Sequence, residues 1–305
     1  MNIEWYPGHM TKARRQMEED LKLVDLIVEI RDARIPMSSA NPDLIRMGAD
    51  KLRLILLNKA DLADPTKTAL WIDKYRAENI TVLETDSKLP KNRNQILAAF
   101  ETAARPKRER DKRRGLKNRP VRAMVVGIPN VGKSTFINLL TRKSQAKTGN
   151  KPGVTRGKQW IHTSSQMDLL DTPGILWPKF ESEEVGLHLA MCGAISDERI
   201  PMEELAFQII DFLRENYPGM LEQRYFPENS KESNEAAEAN DASLKVSIEE
   251  KPAHEVLTEL ARKRQILLPG GQVNTERMAE ILVTEFRSGK LGRVSLEVPS
   301  DPALI

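Results

Sequence analysis

The chain has a single cysteine, Cys192, in 305 residues, which excludes an internal disulfide and any zinc site built from several thiolates. No apolar run approaches the ~20 residues that a membrane-spanning helix requires. The first residues, Met1-Asn2-Ile3-Glu4-Trp5-Tyr6-Pro7, lack the basic-then-apolar layout of a secretory leader. These absences lead us to expect a reducing, cytoplasmic setting with no membrane partner. A strong excess of charge is lacking too: the net value is +3, by itself a weak argument for a polyanionic ligand. What is present, 40% apolar and 30% charged residues, fits a water-soluble globular chain with length for one large domain or two smaller ones.

The charge is unevenly placed. From Arg105 to Arg122 there are ten Lys or Arg against two acidic residues, and from Glu228 to Lys251 seven acidic against three basic. The basic run reads either as a contact to a phosphate backbone or as a solvated linker.

Short apolar runs at 24–30, 52–57, 80–83 and 121–126 read as strands, and residues 159–161 and 167–170 as a hairpin. Helical spacing intervenes at about 11–22, 65–78, 91–104 and 133–142. Such alternation predicts an α/β fold with a doubly wound, mostly parallel sheet. We place this domain at 1–178, followed by a smaller all-α domain at 179–290 with helical spacing at 183–224, 252–267 and 275–287. A flexible acidic insertion near 228–250 and a loose tail at 291–305 complete the expected organisation.

Gly127-Ile128-Pro129-Asn130-Val131-Gly132-Lys133-Ser134 matches G-x-x-x-x-G-K-[ST] in full, with a strand before it and a helix after it. In that motif the backbone around Asn130, Val131 and Gly132, with Thr135 behind it, turns its amides toward phosphate oxygens, helped by the helix N-terminus. Lys133 supplies positive charge to the β- and γ-phosphates, and the Ser134 hydroxyl can ligate Mg2+. Asp171-Thr172-Pro173-Gly174 follows an apolar strand, so Asp171 falls where a carboxylate holds Mg2+ through water and Gly174 where an amide meets the γ-phosphate. Thr155 lies between them; alone it is an ordinary loop hydroxyl, but its position is that of a nucleotide- and Mg2+-binding switch threonine.

Asn58-Lys59-Ala60-Asp61 ends the strand at 52–57. Asp61 can accept both N–H groups of guanine, while adenine presents the wrong donors. Lys59 would lie along the base plane, and a backbone amide of Asp86-Ser87-Lys88 would meet guanine O6, although the usual form there is Ser-Ala-Lys. This base-reading element precedes the phosphate loop, the reverse of the ordinary order. The chain therefore resembles a circularly permuted GTPase that binds GTP and GDP with Mg2+.

With these residues in place the chain closely resembles the ribosome biogenesis GTPase A family, bacterial members of the permuted group. Trp5-Tyr6-Pro7-Gly8-His9-Met10, Asp32-Ala33-Arg34-Ile35-Pro36, Gly174-Ile175-Leu176-Trp177-Pro178-Lys179 and Pro269-Gly270-Gly271 also support the resemblance. It implies a monomeric factor in late maturation of the large (50S) ribosomal subunit, touching 23S rRNA and ribosomal proteins. It also implies GTPase activity stimulated by that subunit and an RNA-binding helical carboxy-terminal domain. Ile175 stands where many GTPases have a water-orienting Gln, and the resemblance points instead to His9 as the catalytic group beside Lys133. Three alternatives stay open. Asn130 either helps bind K+ beside the phosphates or stabilises its own loop; Arg262-Lys263-Arg264 is either an RNA contact or a solvated helix face. The chain as a whole could instead be a GTP-switched RNA-binding module in which hydrolysis is secondary.

Overall fold

A computed structural model of the chain describes residues 10–116, 119–141, 159–164, 166–174, 176, 177, 180, 182–226 and 251–299. Packing divides it into two compact units, Asp197–Val294 and the remainder, the latter including the residues from Ser295 onward.

The sheet-containing unit is built, in chain order, from α1 (Met10–Leu21), β1 (Leu26–Asp32), α2 (Pro42–Met47), β2 (Leu52–Asn58), α3 (Pro65–Ala77), β3 (Thr81–Glu84) and α4 (Arg93–Arg113). Then come β4 (Val121–Val126), α5 (Lys133–Thr141), β5 (Gln159–Ser164), β6 (Met167–Asp171) and α6 (Glu183–Met191). The six strands form one sheet in the order β3-β2-β1-β4-β6-β5, parallel except for the β5–β6 hairpin. All seven positions of β1 are buried, as expected for a central strand covered on both faces. Ile27, Met124 and Leu170 pack with Met17 and Leu21 of α1 and Leu44 of α2. Ile55, Leu57 and Val82 pack with Trp71 and Tyr75 of α3.

Two buried charges interrupt β1. Glu29 and Arg31 lie on one face at 2.9 Å, with Arg53 at 2.7 Å from Glu29 and the Tyr75 hydroxyl at 2.8 Å from Arg31. An unpaired charge there would cost several kcal/mol, so the pairing is what permits these residues in a central strand.

Helix boundaries follow local chemistry where a cap exists. Asp64 accepts from the amides of Thr66 and Lys67 ahead of Pro65, and Asn41 accepts from Asp43 and Leu44 ahead of Pro42. α4 runs past the expected end near 104, through Pro106 to Arg113. Buried Lys107 pairs with Asp111 one turn on and lies 3.7 Å from Asp25, a tertiary anchor invisible to periodicity. The first half of the basic run is thus helical rather than a linker.

Two expectations about organisation are corrected. The division falls at Asp197 rather than after 178, because α6 packs within the sheet unit. Nor are residues 295–299 loose. Leu296 N–H donates to Arg34 O at 2.8 Å, and the Glu297 carboxylate accepts from Met37 N at 2.7 Å and Ser38 N at 3.0 Å. His188 Nδ1 lies 3.1 Å from the same carboxylate, and Trp71 Nε1 donates to Glu297 O.

The other unit comprises α7 (Met202–Asn216), α8 (Met220–Tyr225), α9 (Ala253–Lys263) and α10 (Thr275–Arg287). Its core is apolar, with Leu205, Ile209, Val256, Leu260, Leu282 and Phe286 buried. Buried Glu285 accepts from Arg224 at 2.8 Å, Arg264 at 3.2 Å and Tyr225 at 2.9 Å. Burial alone would raise its pKa, but these partners outweigh burial and hold it near about 2 against an ordinary 4.5. The group therefore stabilises the fold above about pH 4.5, and that contribution is lost as pH falls through about 2. Glu285→Gln should lower the urea midpoint at pH 7 and flatten its fall between pH 4.5 and 2. A variant as acid-sensitive as the parent would show that the fall arises elsewhere.

Candidate functional site

In a doubly wound sheet a ligand binds beyond the carboxyl ends of the strands, where successive connections diverge. Here β1, β2 and β3 wind one way while β4 and β6 wind the other, so the divergence lies between β1 and β4. Register brings Asp32 opposite Asn58 and Val125 opposite Asp171. The segments after Asp32, Asn58, Glu84, Val126 and Asp171 consequently share one edge, and all five carry motifs quoted from the sequence.

The phosphate loop leaves β4 with Gly127 and closes with Gly132 at φ +103. A Cβ on Gly132 would stand 2.4 Å from Asn58 Nδ2, so both conformation and space require glycine. Asn130 adopts φ +58 and its Nδ2 donates to Gly193 O at 2.8 Å, which supports a loop-stabilising role for this side chain. Buried Lys133, the first residue of α5, donates to Ile128 O at 2.7 Å and Gly127 O at 3.0 Å. Burial lowers its pKa to about 8, with Asp171 opposing that shift and Lys59 adding to it.

Asp171 ends β6. Burial lifts its carboxyl pKa to about 6 against the pull of Lys133 and the Thr172 amide, and its Oδ1 is buried with no hydrogen-bond partner among the described residues. A buried, unpartnered carboxylate oxygen and the Ser134 hydroxyl in the first turn of α5 make a hard-oxygen donor set of the kind that suits Mg2+. Thr172 Oγ1 donates to Val125 O at 2.7 Å, and Gly174 abuts Lys133, since a Cβ there would meet Nζ at 2.6 Å. Trp177 is buried, edge-on to Phe180.

The base-reading element meets the phosphate loop through Asn58. Its Nδ2 donates to Val131 O at 2.7 Å and its Oδ1 accepts from Ser87 N at 2.9 Å. Lys88 N donates to Asp86 Oδ1 at 2.9 Å, so the amides of Ser87 and Lys88 both have acceptors within the protein. Asp61 is exposed at the loop's tip. Lys59, at φ +59, donates to Asp32 Oδ2 at 2.9 Å.

The fold thus gathers Asn58, Lys59, Asp61, Asp86, Ser87, Asn130, Val131, Gly132, Lys133, Ser134, Thr135, Asp171 and Gly174 along one edge. His9 and Thr155 lie outside the described residues, as does Ile175. Sequence reasoning assigned no role to Asp32 and Arg34, although they stand within a motif it quoted. It gave no signal for Gly193 or Glu297, whose partners are far along the chain. Among the described residues no group of three or more His, Cys, Asp or Glu could hold a metal by itself, and no helix is long and apolar enough to cross a membrane.

Comparison with known proteins agrees with this geometry. Residues 122–216 match the family described as 50S ribosome-binding GTPase. Ribosome biogenesis GTPase A of Bacillus licheniformis is 43% identical, covering 99% of this chain and 100% of its own. The Thermotoga maritima protein of that name is 33% identical, covering 98% and 95%. Among solved structures, GDP-bound TM YlqF superposes with a TM-score of 0.67 at 28% identity, covering 94% of this chain and all of that one. GNP-bound YlqF from T. maritima gives 0.65 at 29%, covering 95% and 99%.

Asn58→Ala removes the bond that joins the base-reading half to the phosphate loop and the bond that anchors Ser87 to the same side chain. A pair of buried hydrogen bonds of this kind corresponds to roughly 2 kcal/mol, or about thirtyfold in affinity. Titration with fluorescent GDP checks this, and unchanged affinity would show that the halves are held together by other contacts.

Proposed function

Since the chain belongs to the ribosome biogenesis GTPase A family, and its reaction is therefore GTP hydrolysis, we propose that it acts as a cytoplasmic, monomeric assembly factor. Its target is the maturing large (50S) ribosomal subunit, which it contacts through 23S rRNA and ribosomal proteins. The observation that carries this reading is the near full-length identity to proteins of that name, joined to a guanine-nucleotide edge complete apart from Thr155.

In this reading Asp61 accepts from the guanine base and Lys59 lines its face. Asp86 and Ser87 close the base pocket, and the amides of Asn130–Thr135 and of Gly174 cradle the phosphates. Ser134, Asp171 and Thr155 would hold Mg2+, which neutralises phosphate charge when bound. Lys133 stabilises charge on the transferred group. Ile175 has no group to orient water, and the family resemblance assigns that role to His9 when the subunit binds. If K+ binds beside the phosphates, the Asn130 side-chain oxygen would be the atom that holds it, its nitrogen being committed to Gly193 O.

RNA contact is assigned to the end of α9. Arg264 there serves Glu285 and packs over the Tyr225 ring, while Arg262 and Lys263 are exposed beside the exposed turn at 267–271. The exposure of Arg262 supports a phosphate contact there, while Lys263 Nζ also lies 5.8 Å from the centre of the Phe226 ring.

GTP hydrolysis should be strongly stimulated by purified large subunits in potassium buffer. His9→Ala should bind GTP as the parent does yet lose stimulation by about a hundredfold. Replacing K+ with Na+ should slow turnover. Tight GTP binding without stimulation by mature or immature subunits would favour a conformational switch in which hydrolysis is secondary.

A further inference from the structure

Lys59 occupies a left-handed backbone conformation that a non-glycine residue adopts reluctantly, so its position is imposed by surrounding contacts. The Ala60 amide donates to Thr85 O at 3.1 Å and the Leu62 amide to Lys59 O at 2.9 Å. At the side-chain end, Lys59 Nζ donates to Asp32 Oδ2 at 2.9 Å.

Asp32 is itself held on every side. Arg34 donates to its Oδ1 from Nε at 2.9 Å and from the backbone at 3.1 Å, and to Oδ2 from Nη2 at 2.8 Å. Both side chains are about 1% exposed. The flanking backbone is tied to the same loop, since Ala33 N donates to Asn58 O at 2.8 Å, and Leu296 N pins Arg34 O from the other side. Burial opposes the charge on both groups, yet each lies on the side of its ordinary pKa that keeps it ionised, because the partner charges outweigh burial. A fixed two-pronged ion pair thus touches one base-reading residue, Lys59, directly.

We infer that Asp32 and Arg34 are positioning residues for base recognition: Asp32 fixes the Lys59 side chain along the face of the base, and the two-pronged Arg34 contact fixes Asp32. This rests on the reading of Asn58–Asp61 as the base-binding loop.

The test is a double-mutant cycle on the full chain, read by binding of fluorescent GDP and by GTP turnover. Asp32→Asn keeps the shape and removes the charge. It should weaken GDP about tenfold and raise KM for GTP far more than it lowers kcat. In a Lys59→Ala background it should weaken GDP no further. Wild-type GDP affinity for Asp32→Asn, an equal loss in both backgrounds, or a loss confined to kcat would overturn the inference. If Lys59→Ala itself leaves GDP affinity intact, the base-loop reading falls, and this inference falls with it. Thermal unfolding checks that each variant is folded. Should Asp32→Asn fail that check, Arg34→Lys, which keeps the charge but breaks the two-pronged contact, takes its place in the same cycle with the same outcomes.

Discussion

A single side-chain amide joins the half of the site that reads the base to the half that holds phosphate. Asn58 spans 73 residues of sequence to reach Val131 O and 29 to receive Ser87 N, using donor and acceptor at once. Ser and Thr are too short to do both, and Asp lacks the donor. Gly132 is confined to glycine by the same amide, so the shape of the phosphate loop and the identity of residue 58 are one constraint. Fixing the spacing of the base and phosphate subsites before a nucleotide arrives lowers the ordering cost of binding.

Chain order matters little to this requirement. β1 pairs with β2 on one side and β4 on the other, and those neighbours are fixed by register and burial rather than by which segment was made first. What the permuted order changes is the sequel to Asp171–Gly174. The next helix, α6, stays within the sheet unit and is followed by Gly193, whose carbonyl is held by Asn130 of the phosphate loop. Gly193 in turn lies just before Asp197, where the helical unit begins. A hydrogen bond therefore connects the phosphate loop to the segment leading out of its own unit.

The parts of the fold legible in the sequence were those dictated by a ligand or by continuous burial. Gly127–Ser134, Asn58–Asp61 and Asp171–Gly174 are local strings whose spacing is set by nucleotide chemistry, and each stands at the carboxyl end of its strand. β1, β2 and β4 announced themselves as apolar runs. What escaped depended on distant partners. α2 is one and a half turns whose only local sign is Asn41-Pro42, and α4 continues past Pro106 because Lys107 and Asp111 are anchored in tertiary structure. The shift from strands to helices after residue 178 reflects a change of element type, whereas the packing boundary lies one helix later. Asp32 and Arg34 were visible as letters but not as a cluster, since only the turn after β1 folds them back onto Lys59.

The contact between Glu297 and Ser38 separates its partners by 259 positions, and the whole helical unit is synthesised between them. During translation the strands, phosphate loop and base loop all emerge well before the segment that braces the turn at 35–38. Nascent chains must therefore carry a sheet unit whose turn after β1 is unbraced until residues 197–294 have been made. Maturation of the site thereby waits for the segment that carries Glu297. The amides of Met37 and Ser38 depend on water until the Glu297 carboxylate arrives to accept them.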